Sequence, residues 1–221
     1  MELSTSKNTF FIFIESVSAM ALLAGLLTHH AIAQAAPAAT SAPAASTRTF
    51  HDPTYKLSFD YPATWKFAQT DSEISTFRLD ARSAAGTTAM RAVVAIPENP
   101  FPESTFSGAY FYFSVTPRSS AASCSDQAAS PAAKQKKPSD KIQIAGIPFT
   151  HGHDEQKDIC ITQRDEVYTA LHRNACYRFD LAMNNFCGAE VSGVKDITPA
   201  ELDQVRARLQ AILATVRFDT K

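Results

Sequence analysis

An excess of charge of either sign is missing from this sequence. The 221 residues carry 21 basic and 22 acidic side chains, and loss of the N-terminal leader described below removes Lys7, Glu2 and Glu15, leaving 20 of each. A neutral chain sets up no long-range field to attract nucleic acid or an anionic membrane surface, and no basic amphipathic helix concentrates charge locally. Catalytic signatures are missing too. There is no Gly-x-Ser-x-Gly elbow, Walker loop, Gly-x-Gly-x-x-Gly turn, His-Glu-x-x-His helix or Cys-x-x-Cys pair. Ser107-Gly108 and Ser192-Gly193 lack the second glycine that an elbow needs and read as turns. No motif in the sequence points to an enzyme or to a cofactor.

What the chain does have begins with an address. Ser16 to Leu27 (SVSAMALLAGLL) forms an apolar run of leader length, followed by the small-x-small triplets Ala31-Ile32-Ala33 and Ala33-Gln34-Ala35. Glu15 interrupts the apolar stretch that reaches back to Phe10, and a mid-span carboxylate costs about 2.5–3.5 kcal/mol on insertion scales. Residues 1–35 therefore read as a cleaved signal peptide, leaving no membrane span. No cysteine follows the run, so no lipid attachment is indicated. Export places the mature chain in the periplasm or outside the cell. Residues 36–48 are an Ala/Pro/Ser-rich flexible linker, and residues 49–218 form the domain, large enough to bury roughly 70% of its unfolded surface.

Within the domain, Tyr55, Leu57, Phe59 and Tyr61 alternate along one strand face, and Pro62 ends that strand just before Trp65. Further strands are predicted over 75–81, 90–97 and 109–117. The last two are apolar on both faces, so the sheet there should be covered on both sides. Residues 118–141 break the pattern and read as a mobile loop containing Cys124, with Lys134, Lys136, Lys137 and Lys141 solvated. Strands resume at Lys141, with Gly146-Ile147-Pro148 breaking or bulging the run. A hairpin then turns at Arg173-Asn174. Thr198-Pro199-Ala200-Glu201 is a capping box with proline at the first helical position. Leu202, Val205, Leu209, Ile212, Leu213 and Val216 follow on one stripe. The class is α+β, with a largely antiparallel sheet of five to seven strands and a long C-terminal helix.

The strand YKLSFDYP before Trp65, the later GIPF strand, the hairpin VYTALHRNACYRFDLAM and the closing ILATVRF together resemble the PsbP-like fold over nearly all of residues 50–218. The resemblance implies an αβα sandwich around the antiparallel sheet, and an accessory or binding protein of the cell envelope whose partner is another envelope protein. It transfers no binding residue.

The nearest approach to a ligand cluster is HGHDE, His151 to Glu155. In a strand His151 and His153 share a face about 6–7 Å apart, a chelating separation. Asp154 or Glu155 offers an oxygen, and His172 would join if its strand is a neighbour. The competing reading is an exposed strand end. Asp154-Glu155 and Asp165-Glu166 are adjacent, so each pair points to opposite faces, most simply toward solvent. Tyr110 to Phe113 read as core. A small-ligand or metal-binding module is thus the second functional class, and an undetected enzyme the third.

Four cysteines, Cys124, Cys160, Cys176 and Cys187, form an even set in an exported chain and fit no zinc spacing. If residues 176–183 are extended, seven steps carry the chain about 23 Å. Four more residues return at most about 14 Å. The remaining gap exceeds the usual separation of roughly 4.4–6.8 Å between bridged Cα atoms, so Cys176 and Cys187 should not bond each other. A two-residue turn at Arg173-Asn174 sets Cys160 opposite Cys187 and turns Cys176 to the other face, free for Cys124. A three-residue turn would shift that register by one. Peptide mapping without reduction is expected to yield Cys160–Cys187 and Cys124–Cys176 fragments, and a Cys176–Cys187 fragment would refute the strand itself.

Overall fold

Between Asp140 and Phe186 the chain turns back on itself three times, each time through two residues. The computed structural model describes residues 46–70, 74, 89–128, 140–186, 188 and 193–219. The strands in this stretch are β6 (Asp140–Ile144), β7 (Ile147–Asp158), β8 (Ile161–His172) and β9 (Ala175–Phe186). Ala145-Gly146 and Arg173-Asn174 both have positive φ at each turn position (49° and 79°; 48° and 60°), and Cys160 has φ 64° in the turn from β7 to β8. Turns with positive φ at both positions match the right-handed twist of the strands they join. Arg173 therefore occupies a conformation its side chain disfavours, held by the pairing on either side. His172 opposes Ala175 and Leu171 opposes Cys176, the register expected for a two-residue turn.

These four strands join β3 (Lys66–Ala68), β4 (Ala89–Ala95) and β5 (Phe106–Pro117). The result is a seven-stranded antiparallel sheet in the order β3-β4-β5-β9-β8-β7-β6. The first alternating segment does not enter it. β1 (Thr47–Asp52), β2 (Leu57–Pro62) and β10 (Arg217–Phe218) make a separate three-stranded sheet. Its Leu57, Phe59 and Tyr61 are buried against one face of the large sheet. Ser107-Gly108, read from sequence as a turn, instead lies inside β5, where the register with β9 shifts between Phe106 and Gly108.

On that same face lies the main core. Phe111, Phe113, Tyr177, Phe179, Leu181 and Met183 are essentially inaccessible, and Phe179 sits 5.3 Å from Phe113 and 5.7 Å from both Phe111 and Phe149, ring centroid to centroid. The C-terminal helix, α2 (Pro199–Leu213), packs here through Val205, Leu209, Ile212 and Leu213. Its capping box is complete: Thr198 Oγ1 accepts from the Glu201 N–H at 3.2 Å, and Glu201 accepts from the Thr198 N–H at 2.8 Å. Burying each large apolar side chain contributes about 1.5–3 kcal/mol, so this face holds most of the fold's hydrophobic stabilisation.

The opposite face is covered as well. Ala68, Val93, Ala95, Tyr110, Tyr112 and Ala182 form a smaller apolar cluster there. Beside it lies the segment expected as a loop, whose first part is instead a helix, α1 (Ala121–Asp126), capped by Ser120. Residues 1–45 and 129–139, with Lys134, Lys136 and Lys137, and the strand expected over 75–81 lie outside the described residues.

Gly152 of β7 allows the closest approach of this cap, since a Cβ there would lie 1.7 Å from the Ala128 carbonyl oxygen. Gly152→Ala is expected to speed proteolytic cleavage around residues 118–128 while shifting the denaturation midpoint far less than Phe179→Ala, whose cost should be about 3–5 kcal/mol. Unchanged cleavage in Gly152→Ala would contradict this packing.

Candidate functional site: a histidine cluster and a stapled cap

Residues 151, 153 and 155 of β7 face the same side as residues 164, 166 and 168 of β8, because His151 opposes Tyr168 and Glu155 opposes Arg164. The two histidines of HGHDE do come together, with ring centroids 4.5 Å apart. His151 lies flat on Tyr168 at 4.4 Å and an interplanar angle of 8°. His172 does not join them. It sits at the far end of β8 beside Tyr177 and Phe218. Asp154 points to the other face, and Glu155 is drawn off by Lys157 at 3.0 Å and Arg164 at 3.2 Å.

The carboxylate that does face His151 is Glu166, and it corrects the sequence reading. Asp165 and Glu166 face opposite sides as expected, but both are buried rather than solvated. Glu166 accepts from Tyr168 Oη at 2.8 Å and Gln210 Nε2 at 3.4 Å, and it pairs with Arg206 Nε at 2.7 Å. Arg206 and Gln210 belong to α2, so Glu166 ties the helix to the sheet. His151 Nε2 stands 3.8 Å from it, outside hydrogen-bond range. With its oxygens committed to these donors, Glu166 is a poor ligand or base. Among the described residues no group of three or more His, Cys, Asp or Glu side chains has the geometry to hold a metal ion.

Burial, and then the neighbouring His153, hold the His151 imidazole below the ordinary value of 6.5, against the opposing pull of Glu166 and Asp140. Tyr168, buried and bonded to Glu166, has its phenol raised well above its ordinary value.

On the other face a second polar group is enclosed. A disulfide joins Cys124 of α1 to Cys176 of β9, with Cα atoms 5.3 Å apart and a sequence separation of 52. The other bridge expected from sequence, Cys160–Cys187, has one end at Cys187, outside the described residues. Next to Cys176 on this face, Arg178 donates through Nε to Asp180 Oδ2 at 2.9 Å and through a terminal nitrogen to the Gln127 carbonyl at 3.4 Å. Gln127 Nε2 in turn approaches Thr116 Oγ1 at 3.4 Å. Burial works against the Arg178 charge, but Asp180, Asp165 and Asp154 outweigh it and raise its affinity for the proton. Reading the sequence missed this layer because Arg178 and Asp180 alternate with core residues and mimic the solvent side of a half-exposed strand. The signal was present in Cys176, a staple point on that side.

No family model matches the chain, and no curated protein matches it. Its fold is similar to several solved structures, each at 10% identity. A crystal structure from Bacteroides thetaiotaomicron has a TM-score of 0.43 over 79% of this chain, which spans about half (49%) of that longer protein. The solution structure of cyanobacterial PsbP from Synechocystis has a TM-score of 0.42, covering 81% of this chain and 96% of that one. LpqN, involved in cell envelope biogenesis of Mycobacterium tuberculosis, has a TM-score of 0.40, covering 79% and 91%. PsbP is thus among the similar structures, as the sequence pattern suggests. Among the described residues, no helix is long and apolar enough to cross a membrane.

An unfolded chain takes up the His151 proton as pH falls through 6.5, whereas the folded chain resists until its own lower value. Stability is therefore expected to fall with pH from just above 6.5 and to level off below the folded value. His172, also lowered chiefly by burial, adds the same sign. In His151→Gln the decline, measured by denaturant titration on either side of that pH, should shrink without vanishing. An undiminished decline would show that His151 is not held neutral.

Proposed function

We propose that this chain is an exported, disulfide-stabilised accessory domain of the cell envelope that binds another protein and is not an enzyme. The observation that carries the reading is the Cys124–Cys176 bridge, which fixes α1 against the central strand. Such bridges persist in oxidising compartments, in keeping with the leader pattern of residues 1–35. By constraining the unfolded chain, the bridge adds about 2–4 kcal/mol, and it presents Ala121, Ala122, Ser123, Ser125 and Asp126 at the surface on a fixed support. Further support comes from the buried carboxylates. Asp52 is held by Arg91 at 2.7 Å and by the Thr54 and Tyr55 N–H groups, Asp180 by Arg178, and Glu166 by Arg206. Asp52 and Glu166 tie one element to another and Asp180 is occupied by its strand neighbour Arg178, which leaves none of the three poised as a general acid or base.

A photo-crosslinking residue at Ser123, in full-length protein expressed with its leader, tests the reading. Capture of one envelope partner from Ser123 but not from Arg208 on α2 is expected, with mature protein beginning after Ala35. That capture should be lost in the Cys124→Ser/Cys176→Ser variant. Equal capture from Arg208, or undiminished capture without the bridge, would overturn α1 as the binding platform. Retention of residues 1–35 on purified protein would overturn cleavage of the leader.

A further inference from the structure

A buried imidazole nitrogen without a hydrogen-bond partner lies beside the carboxylate that joins α2 to the large sheet. The nitrogen is His151 Nε2, and the Glu166 carboxylate stands 3.8 Å from it. Three donors hold that carboxylate, and they differ in quality. Tyr168 Oη, from the same strand, makes a hydrogen bond of 2.8 Å. The two donors from α2 are less well placed. Gln210 Nε2 is at 3.4 Å, and Arg206 Nε, though 2.7 Å from Oε1, is not aligned for a hydrogen bond. Arg206 also has a second partner, since its Nη1 donates to Asp203 one turn earlier on α2.

The other charged and titratable groups around the imidazole are Asp140, His153 and Arg164. Asp140, the cross-strand neighbour of His151 on β6, is exposed. His153 meets the His151 ring at 4.5 Å, and Arg164 is drawn to Glu155 and Asn185. A protonated imidazole donates from both nitrogens, and its bond to a carboxylate is about twice as strong as a neutral one. Closing the gap from Nε2 to Glu166 takes a movement of about 1 Å, whereas a buried charge left unpaired is costly. We propose that Glu166 is a proton-controlled latch. With His151 neutral, its carboxylate holds α2 through Arg206 and Gln210. Once His151 takes up a proton, the carboxylate turns to the imidazolium and Arg206 falls back on Asp203, while Tyr168 stays bonded in both states. Val205, Leu209, Ile212 and Leu213 keep α2 on the sheet, so the helix loosens without undocking. Burial sets the folded value of His151 below 6.5, so the latch is closed at neutral pH and opens on acidification. It is independent of the α1 platform, which lies on the opposite face of the sheet.

Amide hydrogen exchange of the full-length protein tests the latch between about pH 8 and pH 5, the interval in which histidine titrates, with each rate normalised to its intrinsic value at that pH. Exchange within α2 is expected to rise about tenfold on acidification, the scale of one charge-assisted contact, while β9 stays protected. The side-chain NH2 signals of Gln210, followed by NMR, should shift with the same midpoint as the His151 ring. His151→Phe keeps a ring on Tyr168 but takes no proton, and it should abolish the rise; His151→Gln should do the same. Asp203→Asn removes the fallback for Arg206 and should move the rise to lower pH. His153→Gln removes a neighbouring charge and should move it to higher pH. Asp140→Asn and His172→Gln should leave the rise in place. A rise that persists in both His151 variants, or is lost in Asp140→Asn, would assign the proton or its partner elsewhere and overturn the latch. Simultaneous loss of protection in β9 would show global unfolding instead, and no rise in α2 would show that Glu166 keeps its helix partners.

Discussion

The fold depends on β9 being buried on both faces. As the central strand of seven it is hydrogen-bonded to β5 on one side and β8 on the other, so every residue from Ala175 to Asn184 must find its partner above or below the sheet. Tyr177, Phe179, Leu181 and Met183 fill the space under α2 and the small sheet. Cys176, Arg178, Asp180 and Ala182 fill the other side. A slip of one residue would send the aromatic row into the polar layer and the charged row into the core. The two-residue turn at Arg173-Asn174 prevents that slip, which accounts for a turn conformation that arginine disfavours.

The two faces meet this constraint with different chemistry. One is nearly all ring and aliphatic carbon, and its few charges, Glu166 with Arg206 and Asp52 with Arg91, sit at the margins and tether α2 and β1 to the large sheet. The other carries an arginine among aspartates beneath a short helix. A buried ionic group is costly unless its partners are well placed, and removal of the cover would leave Arg178 and Asp180 in a changed environment. A covalent bridge from Cys124 to Cys176, one residue removed in space from Arg178, is a physically sensible way to keep that cover in place. The staple and the polar layer are parts of one device.

The histidine cluster, the most suggestive motif along the chain, belongs to the margin of the core. His151 stacks on Tyr168, and the carboxylate it faces is already satisfied, so Glu166 rather than the histidines ties α2 to the sheet. The surface held most firmly lies elsewhere, on α1, which the Cys124–Cys176 bridge fixes to β9.

Much of the architecture was legible from local pattern. The alternation from Tyr55 to Tyr61, the double-sided apolar runs of β4 and β5, the capping box at Thr198 and the hairpin at Arg173-Asn174 are each set within a few residues by side-chain period, cap chemistry and turn geometry. The same pattern excluded a Cys176–Cys187 bond, because an extended strand cannot bring its own ends together. What the pattern did not reveal depends on segments far apart in the chain. That β2 leaves the large sheet rests on its pairing with Arg217 and Phe218. That Asp165 and Glu166 are buried rests on α1 and α2 covering the two faces of β8. Residue type and period state which face a side chain takes. Only the packing of remote elements decides whether that face meets solvent, a charge or another ring.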